Sequence, residues 1–143
     1  MSTTYDPAAV RTNLKTLLSA ISSVANVYDF AQSTIDGYPA VIFELSQEEG
    51  VMLDDITNTR TMTFEVWVAC EIPVEGIEAA SGLLDSTTKD VINVLEKKDN
   101  QTLSGACDWM MPVIGKREQV GSPEGNYLYQ QLLLKVNIAS SIL

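Results

Sequence analysis

From Thr59 to Cys70 the chain alternates without a break: Met62, Phe64, Val66, Val68 and Cys70 stand at every second position, with Thr61, Thr63, Glu65, Trp67 and Ala69 between them. Successive side chains of a strand point to opposite faces, so a period of two held this long describes an extended segment with one face buried and the other open. Burial on one face only is the habit of antiparallel sheets, since parallel sheets are covered on both faces and read as continuous apolar runs. The rest of the chain must then supply further strands and an apolar layer for one face.

Two helical stripes can form that layer. Asp6-Pro7 makes a start signal, a carboxylate to accept a free backbone amide followed by a proline whose missing donor costs nothing in the first turn. Val10, Leu14, Leu17, Leu18 and Ile21 then recur at helical spacing, which predicts a helix ending near Ser23. Pro73 and Gly76 break the long strand, and a second helix is expected to begin around Glu75 to Glu78, with acids where the helix dipole favours them. Its stripe is Ile77, Ala80, Leu84, Val91 and Leu95, widened by Leu83 and Ile92, and Lys97 and Lys98 are expected to close the last turn.

The remaining strands follow from shorter signals. Val27, Tyr28 and Phe30 open a short strand, and Asp36-Gly37-Tyr38-Pro39 is a turn. Ala40 to Leu45 reads as a strand with Val41, Phe43 and Leu45 on one side and Ile42 and Glu44 on the other. Ala106 to Ile114 contains Pro112, which points to an edge or bulged strand, and Gly115, Gly121, Pro123 and Gly125 predict a turn-rich connection around Lys116-Arg117. A last strand runs from Tyr127 to Ala139, with Leu128, Leu132, Leu134, Val136 and Ile138 facing the core, and Tyr127, Tyr129, Gln131, Lys135 and Asn137 opposite; Gln130 interrupts the core row. Strands in blocks around helices give one α+β domain over residues 1–143, a mostly antiparallel sheet with two main helices packed on one face.

Composition enters once chemistry is sought. The chain has 143 residues, 9 Lys and Arg against 19 Asp and Glu, no histidine and a formal net charge of −10. Without imidazole the usual zinc sites and Ser-His or Cys-His nucleophile pairs have no basis, and an acidic average surface repels phosphate, so tight DNA binding is not expected. Phosphate-loop, dinucleotide and nucleophile-elbow motifs are missing from the text, and no cofactor or catalytic residue is expected. Cys70 and Cys107 have no C-x-x-C spacing; buried free thiols are the expectation, a single disulfide the alternative. The first residues lack a basic and apolar leader pattern and no apolar run approaches membrane-span length, so a soluble cytoplasmic protein without a membrane partner is expected.

The least regular stretch is residues 46–58, where Glu48, Glu49, Asp54 and Asp55 occur without a base, inside an interval from Thr16 to Thr59 that has no Lys or Arg. The acids lack the alternating spacing of a calcium loop, and a solvated loop or the tip of a long hairpin is the ordinary reading. Trp67, on the polar side of its strand, either covers the sheet beneath a loop or anchors a subunit contact. Arg60, at the entrance to that strand, suits an inter-subunit ion pair or an exposed charge at the hairpin.

The order of elements, together with Ala8 to Ile21, Thr59-Arg60-Thr61-Met62-Thr63-Phe64-Glu65-Val66-Trp67-Val68, Gly76-Ile77-Glu78-Ala79-Ala80 leading to Leu95, Asn100-Gln101-Thr102-Leu103-Ser104-Gly105 and the Tyr127 to Ile138 strand, resembles the tail terminator, or tail completion, family of tailed bacteriophages. The resemblance implies a sheet flanked by helices and a virion protein made in the host cytoplasm, with no enzymatic activity. It implies a homo-hexameric ring that stops growth of the tail tube, with the tube protein and the head-tail connector or stopper protein as partners, and DNA passing through without tight binding. On that reading Glu48, Glu49, Val51, Met52, Leu53, Asp54, Asp55, Ile56, Arg60 and Trp67 are candidate inter-subunit or lumen contacts, with Val51, Met52, Leu53 and Ile56 as the adhesive ones. Another neck, connector or tail-tube adaptor protein and a stand-alone small-ligand-binding domain, with Trp67 and Tyr129 at its pocket, are the alternatives.

Overall fold

The computed structural model describes residues 5–30, 35–52, 57–73, 76–122 and 125–141. Along the chain come α1 (Pro7–Ser19), β1 (Asn26–Tyr28), β2 (Ala40–Met52), β3 (Thr57–Glu71), α2 (Ile77–Glu96), two 3-10 turns at Lys98–Asn100 and Leu103–Gly105, β4 (Trp109–Ser122) and β5 (Gly125–Ser141). The five strands form one sheet in the order β1-β2-β3-β5-β4, antiparallel throughout except where β1 runs parallel to β2. Both helices pack on one face, so the α+β expectation holds.

The alternation that constrained the sequence also fixes the register. β3 pairs with β2 on one side and β5 on the other, so that Met62, Phe64, Val66 and Cys70 meet Val136, Leu134, Leu132 and Leu128, all buried. Val10, Leu14 and Leu18 of α1 and Ala80, Leu84, Val91 and Leu95 of α2 close over this row in a single core. Phe43 and Phe64 meet edge to face at its centre, 6.0 Å between ring centroids.

Asp6 caps α1, its carboxylate accepting from the Ala9 amide at 3.1 Å, and Pro7 occupies the first helical position. The helix stops at Ser19 rather than near Ser23, because the Ala20 and Ile21 amides turn back to the Leu17 and Leu18 carbonyls; Ile21 is still buried. In α2 two expected core positions are exposed, Ile77 at 50% and Leu83 at 46%, and Thr87 and Thr88 are buried instead. The spacing from Leu84 to Val91 leaves one turn without an aliphatic residue, and Thr87 fills it. Lys97 and Lys98 do not close the last turn of α2: Lys97 is the C-cap and Lys98 starts the following 3-10 turn. The Val94 carbonyl accepts from the Lys97 amide at 3.4 Å and from the Asn100 side-chain amide at 2.9 Å, and the Leu95 carbonyl accepts from the Gln101 side-chain amide at 2.7 Å.

Of residues 46–58, expected as a solvated loop or the tip of a long hairpin, 46–52 and 57–58 belong to the two arms of the β2–β3 hairpin, and the expected turn-rich connection around Lys116-Arg117 is strand. Residues 46–52 continue β2, whose register slips by a bulge between Leu45 and Gln47, and the turn-rich connection after Ile114 is the second half of β4, reset by a bulge between Ile114 and Arg117. Glycines and charges read as breakers, but an edge strand tolerates both where one side of its ladder is unpaired. Among the described residues no helix is long and apolar enough to cross a membrane.

Candidate functional site

β4 lies at one edge of the sheet and carries five of the eight exposed large hydrophobic residues among those described: Trp109 at 42%, Met111 at 49%, Val113 at 41%, Ile114 at 66% and Val120 at 41%. By register Trp109, Met111 and Val113 stand beside Asn137, Lys135 and Leu133 on the face that no described helix covers. A long, apolar edge is a template for association unless it is blunted. Pro112 and the bulge blunt this one only in its middle.

The bulge is held by two neighbouring glutamines of β5. Gln130, 5% exposed, projects from the core row; its Oε1 accepts from Arg117 Nε at 3.0 Å, and its Nε2 reaches the carbonyls of Gly115 and Lys116, both at 3.3 Å, and of Gln131 at 3.0 Å. Arg117 continues to Asp85 at 2.5 Å and Ser81 at 3.3 Å on α2, tying the edge strand to the helix layer. Gln131, on the other face, donates to Glu65 at 2.7 Å and passes so near Gly115 that an added Cβ there would stand 2.5 Å from its Oε1. The polar residue that interrupts the core row is thus the one that seats the bulge.

Beside β4 the open face is concave. Ile35, Ile42, Glu44, Trp67, Glu118, Val120 and Tyr129 line a hollow of about 260 Å³. Trp67 meets Tyr129 edge to face at 6.3 Å, and the Lys116 ammonium, 2.9 Å from Glu118, lies 5.9 Å from the centre of the indole. Glu44 pairs directly with Glu65 across β2 and β3, two like charges relieved at Glu65 by the Gln131 amide and by the charge of Lys116. Trp67 is therefore half-buried in a shallow aromatic hollow.

The acidic arm sits at the opposite edge. Ser46 to Gly50 are exposed, and the register turns Glu48 to the helix face with Met62 and Glu49 to the open face with Thr61. Glu48 accepts from the Tyr5 hydroxyl, and the Arg60 guanidinium covers the Tyr5 ring at 4.7 Å. That hydrogen bond, first among its causes, raises the Tyr5 phenol above its usual value of 10.0. Of the residues singled out in the sequence, the structure brings Glu48 and Arg60 together around Tyr5 and places Trp67 apart from them, on the other face. Val51 and Met52 continue β2 opposite Thr59 and Asn58, whereas Leu53, Asp54, Asp55 and Ile56 lie outside the described residues. The apolar row of β4 was not singled out, although Trp109, Met111 and Val113 alternate on a strand already expected at an edge.

Cys70 and Cys107 are free and buried, as expected, and burial pushes their thiols up to about 11 and about 12. Among the described residues no group of three acidic or sulfur side chains is arranged to hold a metal ion.

No family model matches the chain, and no curated protein does. Among solved structures, a chain of the "Virion of native gene transfer agent (GTA) particle" is similar in fold, with a TM-score of 0.56, covering 94% of this chain and 100% of that one at 10% sequence identity. The likeness extends over nearly the whole chain, and it is one of fold.

Proposed function

We propose that the chain is a structural subunit of a phage-like virion, found in the tail or neck, which assembles with copies of itself into a ring at the head-proximal end of the tail tube. There it ends tube growth and contacts the tube protein below and the connector or stopper protein above. It carries out no catalysis. The observation that carries this reading is that the two edges of the sheet are unlike: an exposed apolar row on β4 and an acidic arm of β2 whose outer side has no strand beside it among the described residues. A closed ring needs such a pair of unlike patches, whereas a two-fold dimer needs one patch that matches itself. The fold likeness to a chain of a gene transfer agent virion supports the same setting. So does the net charge of −10, which suits a wall past which DNA slides without being held.

A small-ligand-binding domain is the competing reading, favoured by the Trp67 and Tyr129 hollow. Its volume of about 260 Å³ falls below the roughly 300–1,000 Å³ of typical ligand pockets, and it is open to solvent. Negative-stain imaging over a concentration series separates the readings. Closed discs are expected; open helical filaments indicate a tube subunit, and isolated monomers whose melting temperature rises with a small ligand indicate a binding domain.

A further inference from the structure

We propose that neighbouring subunits join head to tail through the sheet, the β4 edge of one copy docking against the free β2 edge, residues 43–52, of a second copy in the same orientation. This rests on the ring reading and names its contact. β1 pairs with β2 only at Ala40, Val41 and Ile42, so beyond Ile42 the outer side of β2 has no strand beside it among the described residues. Ser46 to Gly50 are exposed along it. Among the described residues both ends of the sheet thus have an edge with no strand beside it, one apolar, the other acidic.

Strand direction fits this pairing. β2 and β5 run one way, β3 and β4 the other. A copy set alongside in the same orientation, as rotation about a ring axis requires, therefore presents its β2 antiparallel to β4, and the antiparallel order of the sheet continues from one subunit to the next. Charge selects this pairing over β4 against β4. β4 has two bases, Lys116 and Arg117, and one acid, Glu118, whereas residues 43–52 of β2 have three acids, Glu44, Glu48 and Glu49, and no base. Joining β4 to β2 sets the less acidic edge against the most acidic one, while a two-fold β4 pair would leave the acidic edges unused and repelling. Because Pro112 has no amide to donate and the bulge resets the register, the ladder is short, and Trp109, Met111 and Val113 supply most of the contact.

The test uses two blocked variants of the full chain. Met111→Lys with Val113→Lys blocks the β4 edge; Gln47→Lys with Glu49→Lys blocks the β2 edge, at two side chains that share the open face and touch each other at 2.6 Å. Circular dichroism and melting confirm that each folds, and Met111→Ser with Val113→Thr replaces the first pair if it does not. Where the wild type sediments as a ring, each variant alone is expected to sediment as a monomer. An equimolar mixture is expected to form a dimer and nothing larger, because only one intact β4 and one intact β2 remain. A β2-blocked variant that assembles like the wild type, or a mixture that stays monomeric, overturns the proposed contact and leaves the ring standing. A wild type that never assembles overturns the ring reading itself.

Discussion

Replacing Gln130 by leucine should loosen the β4 bulge at a cost that can be worked from its contacts. The side chain is 5% exposed, and leucine is close enough in volume to keep the packing, so the change isolates the polar bonds. Arg117 Nε loses its acceptor at 3.0 Å, a bond to a charged group worth about 1.5–3 kcal/mol net. Arg117 keeps Asp85 at 2.5 Å and Ser81 at 3.3 Å and is partly solvated, which argues for the lower end. The freed carbonyls of Gly115 and Lys116 lie on an edge strand that water reaches, adding little, and the apolar replacement returns about 1 kcal/mol through burial. A net destabilisation of about 0.5–1 kcal/mol remains, which for a domain of this size lowers Tm by roughly 2–3 °C. Urea unfolding with an unchanged slope is the assay, run as a cycle with Arg117→Met and the double variant, for which a coupling of about 1 kcal/mol is expected. Equal or greater stability of Gln130→Leu, or strict additivity in the cycle, would refute the view that this glutamine holds the edge strand.

Thr87 is fully buried with no hydrogen-bond partner for its hydroxyl, so Thr87→Val, nearly equal in shape and helix propensity, should stabilise by about 1 kcal/mol in the same assay; a loss of stability would mean that the hydroxyl is satisfied. Gly115→Ala should cost about 1 kcal/mol, since its Cβ would displace Gln131 from the Lys116 amide and from Glu65, and a neutral result would show that Gln131 does not brace the bulge. Cys70 and Cys107 should resist alkylation at about pH 8 in the native state and react fully in urea. Their folded values, about 11 and about 12, lie above the ordinary thiol value of about 8.5, so their contribution to stability is complete below the latter and fades as pH rises through the former. Chemical unfolding between neutral and strongly alkaline pH measures that loss, and a flat profile there contradicts it.

The sheet was legible wherever burial falls on one face. Met62 to Cys70, Leu128 to Ile138 and Val41 with Phe43 declare their faces by period, and Val10, Leu14 and Leu18 declare a helix to cover them. The second half of β4 was not legible as a strand, and the arm of β2 beyond Leu45 only as one of two readings, because an edge with few buried neighbours imposes no alternation, and glycines and charges there look like turns. Leu83 and Ile77 misled for the reverse reason: apolar residues at helical spacing outside the contact width of α2 receive no partner. The bonding of Arg60 and Glu48 through Tyr5 joins positions far apart in the chain, and sequence spacing has no means of expressing it.

Electron cryomicroscopy of the wild-type assembly would show whether the two edges of this sheet meet copies of the same chain. A closed ring is expected, in which β4 of each subunit lies against β2 of the next, with the acidic arm turned inward or toward the tube. Subunits joined through their helices, with β4 bare to solvent and the acidic arm on the outer wall, would contradict it.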